Sequence, residues 1–197
     1  MLNPKEDSIS VLAGGEESGV FTWDQVLGKT ALLPLAGHET TIGLICNGTR
    51  PFMKNRDQWD LLKTGLEGLM VRATEEAFRH DSPVKSLQRL ATADVEIRGK
   101  HIKKGDRIRW IISSADRDPE KFENADAIDI TRWPNAHVAF GAGIHHCLGA
   151  TLARVEGQEV FQALAERYPN LELKNPEMEY RESIVFRSIM EMLVSLN

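Results

Sequence analysis

Cysteine is scarce. The 197-residue chain has two, Cys46 and Cys147, far apart in sequence and in no zinc or C-x-x-C redox spacing. That excludes a disulfide framework and fits a reducing compartment. Basic charge is also short: 24 Lys and Arg against 29 Asp and Glu leave a net charge of −5, a poor basis for an electrostatic nucleic-acid binder. Long hydrophobic runs are lacking as well. The most apolar stretch, TALLPLAG at 30–37, meets His38 and Glu39 well before the roughly 18 apolar residues that a spanning helix needs. The opening MLNPKEDSIS has no basic region followed by an apolar run, so no signal peptide is expected. Internal repeats and low-complexity tracts are lacking too. These absences point to a soluble, cytoplasmic chain with no membrane or nucleic-acid partner. What is there is ordinary globular material, 42% apolar and 27% charged, long enough to bury a core without cross-links.

Periodicity supplies the first positive reading. Residues 1–20 read as a short helical piece ending in the polar loop GGEESG. Thr22 and Gln25 have capping-box spacing, ahead of an apolar segment, Val26 to Ile45, read as a buried helix bent at Pro34. Residues 57–80 carry Leu61, Leu62, Leu66, Leu69 and Met70 at helical spacing and stop at Asp81-Ser82-Pro83. Alternation of Val95, Ile97, Ile108, Trp110 and Ile112 around the turn Arg98-Gly99-Lys100 predicts a small sheet at 93–112. Residues 113–146 lack a period and read as a long ordered loop. A helix is expected from Cys147 onward, through Leu148, Leu152, Val155, Phe161 and Leu164. A hairpin is expected over Ser183 to Leu196. The fold class is therefore mainly α with small β-sheets.

Chemistry concentrates in FGAGIHHCLG at 140–149. A cysteine that ligates a metal must be a thiolate, and N–H groups at a helix start stabilise that charge. Cys147 sits where loop turns to helix, and Gly141, Gly143 and Gly149 allow close approach of the backbone to a flat cofactor. For a lone cysteine the better reading is usually an inert residue beside a glycine turn. Here Phe140, Gly141, Gly143, His145, Cys147 and Gly149 match at once, which average residue usage would give in this length roughly once in a million sequences.

FGAGIHHCLG resembles the haem-ligand loop of the cytochromes P450, the haem-thiolate monooxygenases. The resemblance implies haem b with Cys147 as axial ligand to iron, His145 on a haem propionate, and Phe140 packed beside the sulfur ligand with Gly141 next to it. Two more motifs follow the family's order. Glu76-Ala77-Phe78-Arg79 reads as E-x-x-R, with both charges on one helix face. Alone, such a pair is usually solvated and worth less than about 1 kcal/mol. Ahead of the Cys147 loop it resembles the family's structural ion pair, with Arg132 as third partner and His137 as a substitute for it. AGHETT at 36–41 resembles the oxygen-binding stretch of the central helix, with Glu39 and Thr40 as the acid–alcohol pair that relays protons. In isolation these threonines would be read as bonding back to the preceding turn.

Arg89 matches the family's propionate-binding arginine, against the plain alternative of a surface residue. Residues Val84 to Gln88 and the chain near Ser188 and Ile189 would face the substrate, and SADRDPEKF at 114–122 also fits the family's order. Pro34, Pro51 and the absence of phenylalanine before Asp129 depart from the pattern. Implied partners are a ferredoxin-type electron donor, its reductase and a small organic substrate.

The resemblance spans residues 1–197 but only the C-terminal half of a fold about twice as long. The expectation is therefore a truncated P450 domain running from the central oxygen-binding helix to the C-terminus. Three readings follow from it: a monooxygenase whose catalytic half lies here, an inactive remnant, or a fragment that docks onto a separate N-terminal half.

Overall fold

The structure is a computed structural model that describes residues 5–175 and 177–196. It divides into two compact units, one ending at Glu39 and one beginning at Thr40. Both are mainly helical, with small antiparallel sheets in the second.

The first unit contains α1 (Ser8–Glu17), capped where the side chain of Asp7 accepts the N–H of Ser10 at 2.8 Å. Gly14 and Gly15 lie inside α1, so the expected loop begins only at Ser18. The capping box then forms. The N–H of Thr22 donates to Gln25 Oε1 at 2.9 Å, and the N–H of Gln25 donates to Thr22 Oγ1 at 3.3 Å. Two of the orphan donors at a helix start are thereby satisfied, and α2 (Trp23–Lys54) begins.

α2 differs from expectation in two ways. It runs nine residues past Ile45, through Pro51 as well as Pro34. Its residues 27–38 are largely solvent-exposed, with Leu32 at 58% and Leu35 at 64%, so that stretch is not a buried helix. From Gly43 onward most of α2 is buried.

In the second unit the expected helix at 57–80 is two helices, α3 (Arg56–Leu62) and α4 (Leu69–His80). Gly65 and Gly68, at φ +65° and +73°, adopt a backbone that other residues resist, and the chain turns there despite the leucine periodicity. α4 packs on α6 (Ala150–Arg167), which starts three residues after Cys147 and not at it. Glycines set how closely these helices approach. A Cβ on Gly48 would lie 2.5 Å from Phe161 Cζ, and one on Gly157 would lie 2.8 Å from Thr74 Cγ2. Phe161 meets Phe52 edge-on at 5.3 Å, an arrangement worth about 0.5–1.5 kcal/mol beyond burial. Leu44, Trp59, Ala77 and Ile130 complete the centre of this core.

The expected single sheet is two. β1 (Ser86–Leu90) pairs antiparallel with β4 (Arg107–Ile111), while β2 (Val95–Ile97) pairs with β3 (Lys100–Ile102). β1 lies outside the alternating stretch used to place the sheet. Positive φ at both Arg98 and Gly99 makes a two-residue hairpin turn whose twist suits the strands. After a short α5 (Ile112–Ala115), residues 116–142 form the long irregular segment. At the C-terminus, 183–196 is one arm of a wider hairpin. β6 (Val194–Ser195) pairs with β5 (Glu172–Leu173), and the N–H of Arg181 donates to the Ser188 carbonyl at 2.9 Å.

Candidate active site

α4 is buried from Ala73 to Arg79, so each charge on it needs a partner. Glu76 and Arg79 are 0% and 1% exposed. Arg79 Nε donates to Glu76 Oε2 and Nη2 to Oε1, both at 2.8 Å. The other three donors of Arg79 reach backbone carbonyls of Asp116, Ala125 and Ala127 at 2.7–2.9 Å, so all five N–H groups are used. Glu76 also accepts from the N–H of Asp129 at 2.9 Å, from Asn135 Nδ2 at 3.0 Å and from Arg132 Nε at 3.2 Å. Two side chains one helical turn apart thus fasten the irregular segment to α4 over residues 116–135. Removing one partner of such a pair costs about 3–5 kcal/mol.

Glu75 faces a second set of partners. It takes Arg154 of α6 in a two-point pair at 2.6 and 3.1 Å and His137 Nε2 at 3.0 Å. Burial opposes its charge, but the hydrogen bonds from His137 and Arg154 outweigh that and bring its pKa down from 4.5 to about 2. His137 therefore belongs to Glu75 and does not replace Arg132 at Glu76. Asp116 adds a further tie: its Oδ1 accepts the N–H of Val138 at 2.7 Å, and burial pushes its carboxyl group up.

The irregular segment leads into the cysteine loop. The N–H of Cys147 donates to the Phe140 carbonyl at 2.9 Å, closing the loop, and the N–H of Gly141 donates to the Val138 carbonyl at 2.9 Å. Gly141 and Gly143 hold φ +72° and +70°, which a side chain at either position would strain. A short 3-10 turn, Gly143–His145, carries the exposed His145. Phe140 points inward, with its ring 4.5 Å from that of Phe78 and the Arg154 guanidinium 4.5 Å over its face. Cys147 is exposed and unbridged. Its neighbours Ile144 and Leu148 are 97% and 93% exposed. Among the described residues, the N–H groups of Leu148 and Gly149 have no hydrogen-bond partner.

The remaining site residues lie elsewhere. Arg89 is on β1, opposite Ile108, with an exposed side chain. Glu39 and Thr40 are consecutive in α2, the last residue of the first unit and the first of the second, and both are half-buried. Thr41 is turned to α6, where its hydroxyl donates to Glu156 Oε2 at 3.0 Å. Glu75, Asn135 and Arg154 were not among the residues expected from sequence. The partners of Glu75 lie 62 and 79 residues away, and no local spacing announces such a meeting.

Chemically, the loop offers one soft sulfur donor on an exposed apolar surface. Among the described residues no group of three His, Cys, Asp or Glu side chains could hold a metal ion. Among them, too, no helix is long and apolar enough to cross a membrane.

Comparison with known proteins bears on this geometry. The family model described as Cytochrome P450 matches residues 69–191. The Biotin biosynthesis cytochrome P450 of Bacillus subtilis is 38% identical over 193 residues, covering 98% of this chain and 49% of its own. Polyketide biosynthesis cytochrome P450 PksS of the same organism is 39% identical, covering 100% and 49%. Among solved structures, the tirandamycin C-bound P450 monooxygenase TamI superposes with a TM-score of 0.95 at 37% identity, covering 100% of this chain and 50% of its own. P450BioI in complex with hexadec-9Z-enoic acid ligated acyl carrier protein gives 0.92 at 37%, covering 98% and 50%. The chain spans about half the length of the curated relatives it matches.

Proposed function

The chain belongs to the cytochrome P450 family, and from that premise we propose that it is the haem-bearing part of a monooxygenase that inserts one oxygen atom of O2 into a small organic substrate. The observation that carries this reading is the Phe140–Cys147 loop, closed by its own hydrogen bond and presenting one exposed sulfur.

The residues present fit haem. A thiolate is a soft ligand suited to iron, and the N–H groups of Leu148 and Gly149, next in the chain and without a backbone acceptor among the described residues, would be available to its charge. Ile144 and Leu148 offer apolar surface that a flat macrocycle would cover. Gly141 and Gly143 keep side chains out of its way. When bound, thiolate-ligated haem supplies the activation of dioxygen, the sulfur pushing electron density that favours O–O cleavage.

The roles of this chain's residues follow. Cys147 holds the iron. Arg89 would pair with a haem propionate and His145 would hydrogen-bond one, both side chains being exposed. Phe140 and Gly141 shape the loop beside the sulfur. The Glu39 carboxyl group and the Thr40 hydroxyl hold and pass protons, as an acid–alcohol pair adjacent in α2 can. Glu76, Arg79 and Arg132 keep the segment before the loop on α4. Electrons come from a ferredoxin-type donor and its reductase, in the cytoplasm. Residues 1–197 form the C-terminal half of the P450 domain on this reading, and the substrate pocket is completed by further polypeptide.

A second reading is favoured by one observation. Leu27, Leu32, Leu33 and Leu35 are 44–64% exposed on α2, an apolar surface of the kind that proteins cover. It suits a fragment that docks onto a separate N-terminal half, with the chain by itself inactive.

The test is the spectrum of the purified chain reconstituted with haem, reduced and exposed to carbon monoxide. A thiolate-type Soret band that disappears in Cys147→Ala is expected. A wild-type chain without the band overturns the haem reading for this polypeptide, and turnover that appears only on adding a separate N-terminal half supports the docking reading.

A further inference from the structure

Glu75 and Glu76 are neighbours on α4 that serve different masters. Glu76 takes five donors from Arg79, Arg132, Asn135 and the N–H of Asp129. Glu75 takes two groups that both lie against one aromatic ring. Arg154, held by the Glu75 carboxylate at 2.6 and 3.1 Å, lies over the Phe140 ring at 4.5 Å. His137, held at 3.0 Å, has its ring centroid 5.9 Å from that of Phe140.

The hydrogen bonds fix the orientation of His137 from both ends. Its Nδ1 accepts the N–H of Ala139 at 3.2 Å, so the ring proton on Nε2 is the one that meets Glu75. Phe78 also packs on Phe140, with ring centroids 4.5 Å apart. The same Phe140 whose ring is clamped supplies the carbonyl that accepts the N–H of Cys147 at 2.9 Å. A continuous set of contacts therefore runs from one carboxylate on α4 to the backbone of the sulfur-bearing residue.

Two features separate this set from an ordinary surface pair. The Glu75 side chain is only 11% exposed, so its interactions escape most of the solvent screening that makes exposed pairs weak. It also bridges three parts of the chain, α4, the irregular segment and α6, immediately beneath the loop.

We propose that Glu75 is a positioning residue for Cys147: through Arg154 and His137 it holds the ring of Phe140, and through the Phe140 carbonyl it fixes the backbone of the Phe140–Cys147 loop. The consequence for the iron rests on the proposed haem ligation by Cys147. The effect on the loop does not, and it is read in the chain without haem.

The test is amide hydrogen exchange of the full chain, wild type against Glu75→Gln. Exchange at the N–H groups of Cys147 and Gly141 is expected to rise about tenfold or more, while the β1 and β4 amides stay within about twofold, as local opening demands. Phe140→Leu should accelerate the same two amides, and adding Glu75→Gln to it should add nothing, because Glu75 acts through that ring. With haem and carbon monoxide, Glu75→Gln should lower the thiolate-type fraction of the Soret band in proportion to the loop opening.

Uniform acceleration along the chain, or additive effects of the two substitutions, overturns the proposal. Arg154→Gln provides a second route should Glu75→Gln not fold: it frees one face of Phe140, and unchanged exchange at Cys147 there is equally fatal. A wild-type chain that binds no haem, combined with the local exchange pattern, would leave the positioning role intact and remove only the haem reading.

Discussion

Two stretches of α2 share one continuous helix and differ in what surrounds them. In residues 43–53, Leu44 and Phe52 are 1% and 0% exposed, and a Cβ on Gly48 has nowhere to go but into Phe161. In residues 27–38 the leucines lie open, and a Cβ on Gly28 or Gly37 would meet nothing within 4 Å. A local rule starts the helix, the capping box at Thr22 and Gln25, and α2 then continues in spite of the low propensity of Pro34 and Pro51. Packing is a property of neighbours, and the same apolar composition gives core in one stretch and open surface in the other.

The packed stretch depends on α4, and α4 depends on Arg79. Arg79→Ala should produce the largest effect, because it strands the buried Glu76 carboxylate and leaves the carbonyls of Asp116, Ala125 and Ala127 without their donor. A cost of about 3–5 kcal/mol is a large share of the roughly 5–15 kcal/mol that holds a typical domain folded. Urea unfolding followed by tryptophan fluorescence should show a large fall in the midpoint, since Trp59 lies in that core. A shift below about 1 kcal/mol, the range of a solvated pair, would show that Glu76 and Arg79 do not anchor α4.

That dependence was partly legible. The i, i+3 spacing of Glu76 and Arg79 placed both charges on one face, and the Cys147 loop could be read from its glycines and their order. The capping box at Thr22 was equally local. What sequence did not reveal were meetings across long separations. The Glu75 side chain finds its partners in His137 and Arg154, and β1 finds β4, only after the chain has folded. The exposure of α2 over residues 27–38 is not legible for the same reason, since an apolar pattern records what a helix could bury and not what is present to bury it. Gly65 and Gly68 mark the break between α3 and α4, although the leucine periodicity runs straight across it.

Gly48→Ala tests the packed stretch directly. The added methyl would sit 2.5 Å from Phe161 Cζ and 3.0 Å from Ala77 Cβ, and forcing such a contact costs about 1–3 kcal/mol. A fall in the unfolding midpoint is expected. Phe161→Leu in the Gly48→Ala background should recover part of it, because it removes the ring atoms that clash.

His80, at the end of α4, adds a pH signature to the second unit. Burial, and the positive charge of Arg117 beside it, lower its pKa from 6.5 to about 4. Below pH 6.5 the unfolded chain takes up a proton that the folded chain refuses until about pH 4, so stability present above pH 6.5 is lost as pH falls through that window. Glu75 acts lower down: its stabilisation is present above pH 4.5 and is lost as pH falls toward about 2. His80→Gln keeps a donor for the Asp126 carbonyl and should flatten the dependence between pH 6.5 and 4 while leaving the lower window unchanged. Denaturant midpoints across pH 3–7 provide the measurement, and an unaltered slope between pH 6.5 and 4 would remove His80 as its source.

Gly28→Ala is the smallest change and the sharpest contrast with Gly48→Ala. Both substitutions put the same methyl group into the interior of the same helix. At Gly28 the methyl meets nothing within 4 Å, so only the backbone term remains, and alanine there favours the helix by about 0.5–1 kcal/mol. Amide exchange at residues 29–33 should slow by roughly twofold to fivefold, while the same exchange in Gly48→Ala quickens around residue 48. Opposite signs from one substitution would locate the difference in the surroundings of the helix. Destabilisation at both glycines would mean that the surface at Gly28 is already covered in solution, by another copy of the chain or another polypeptide, and the open stretch of α2 would no longer be open.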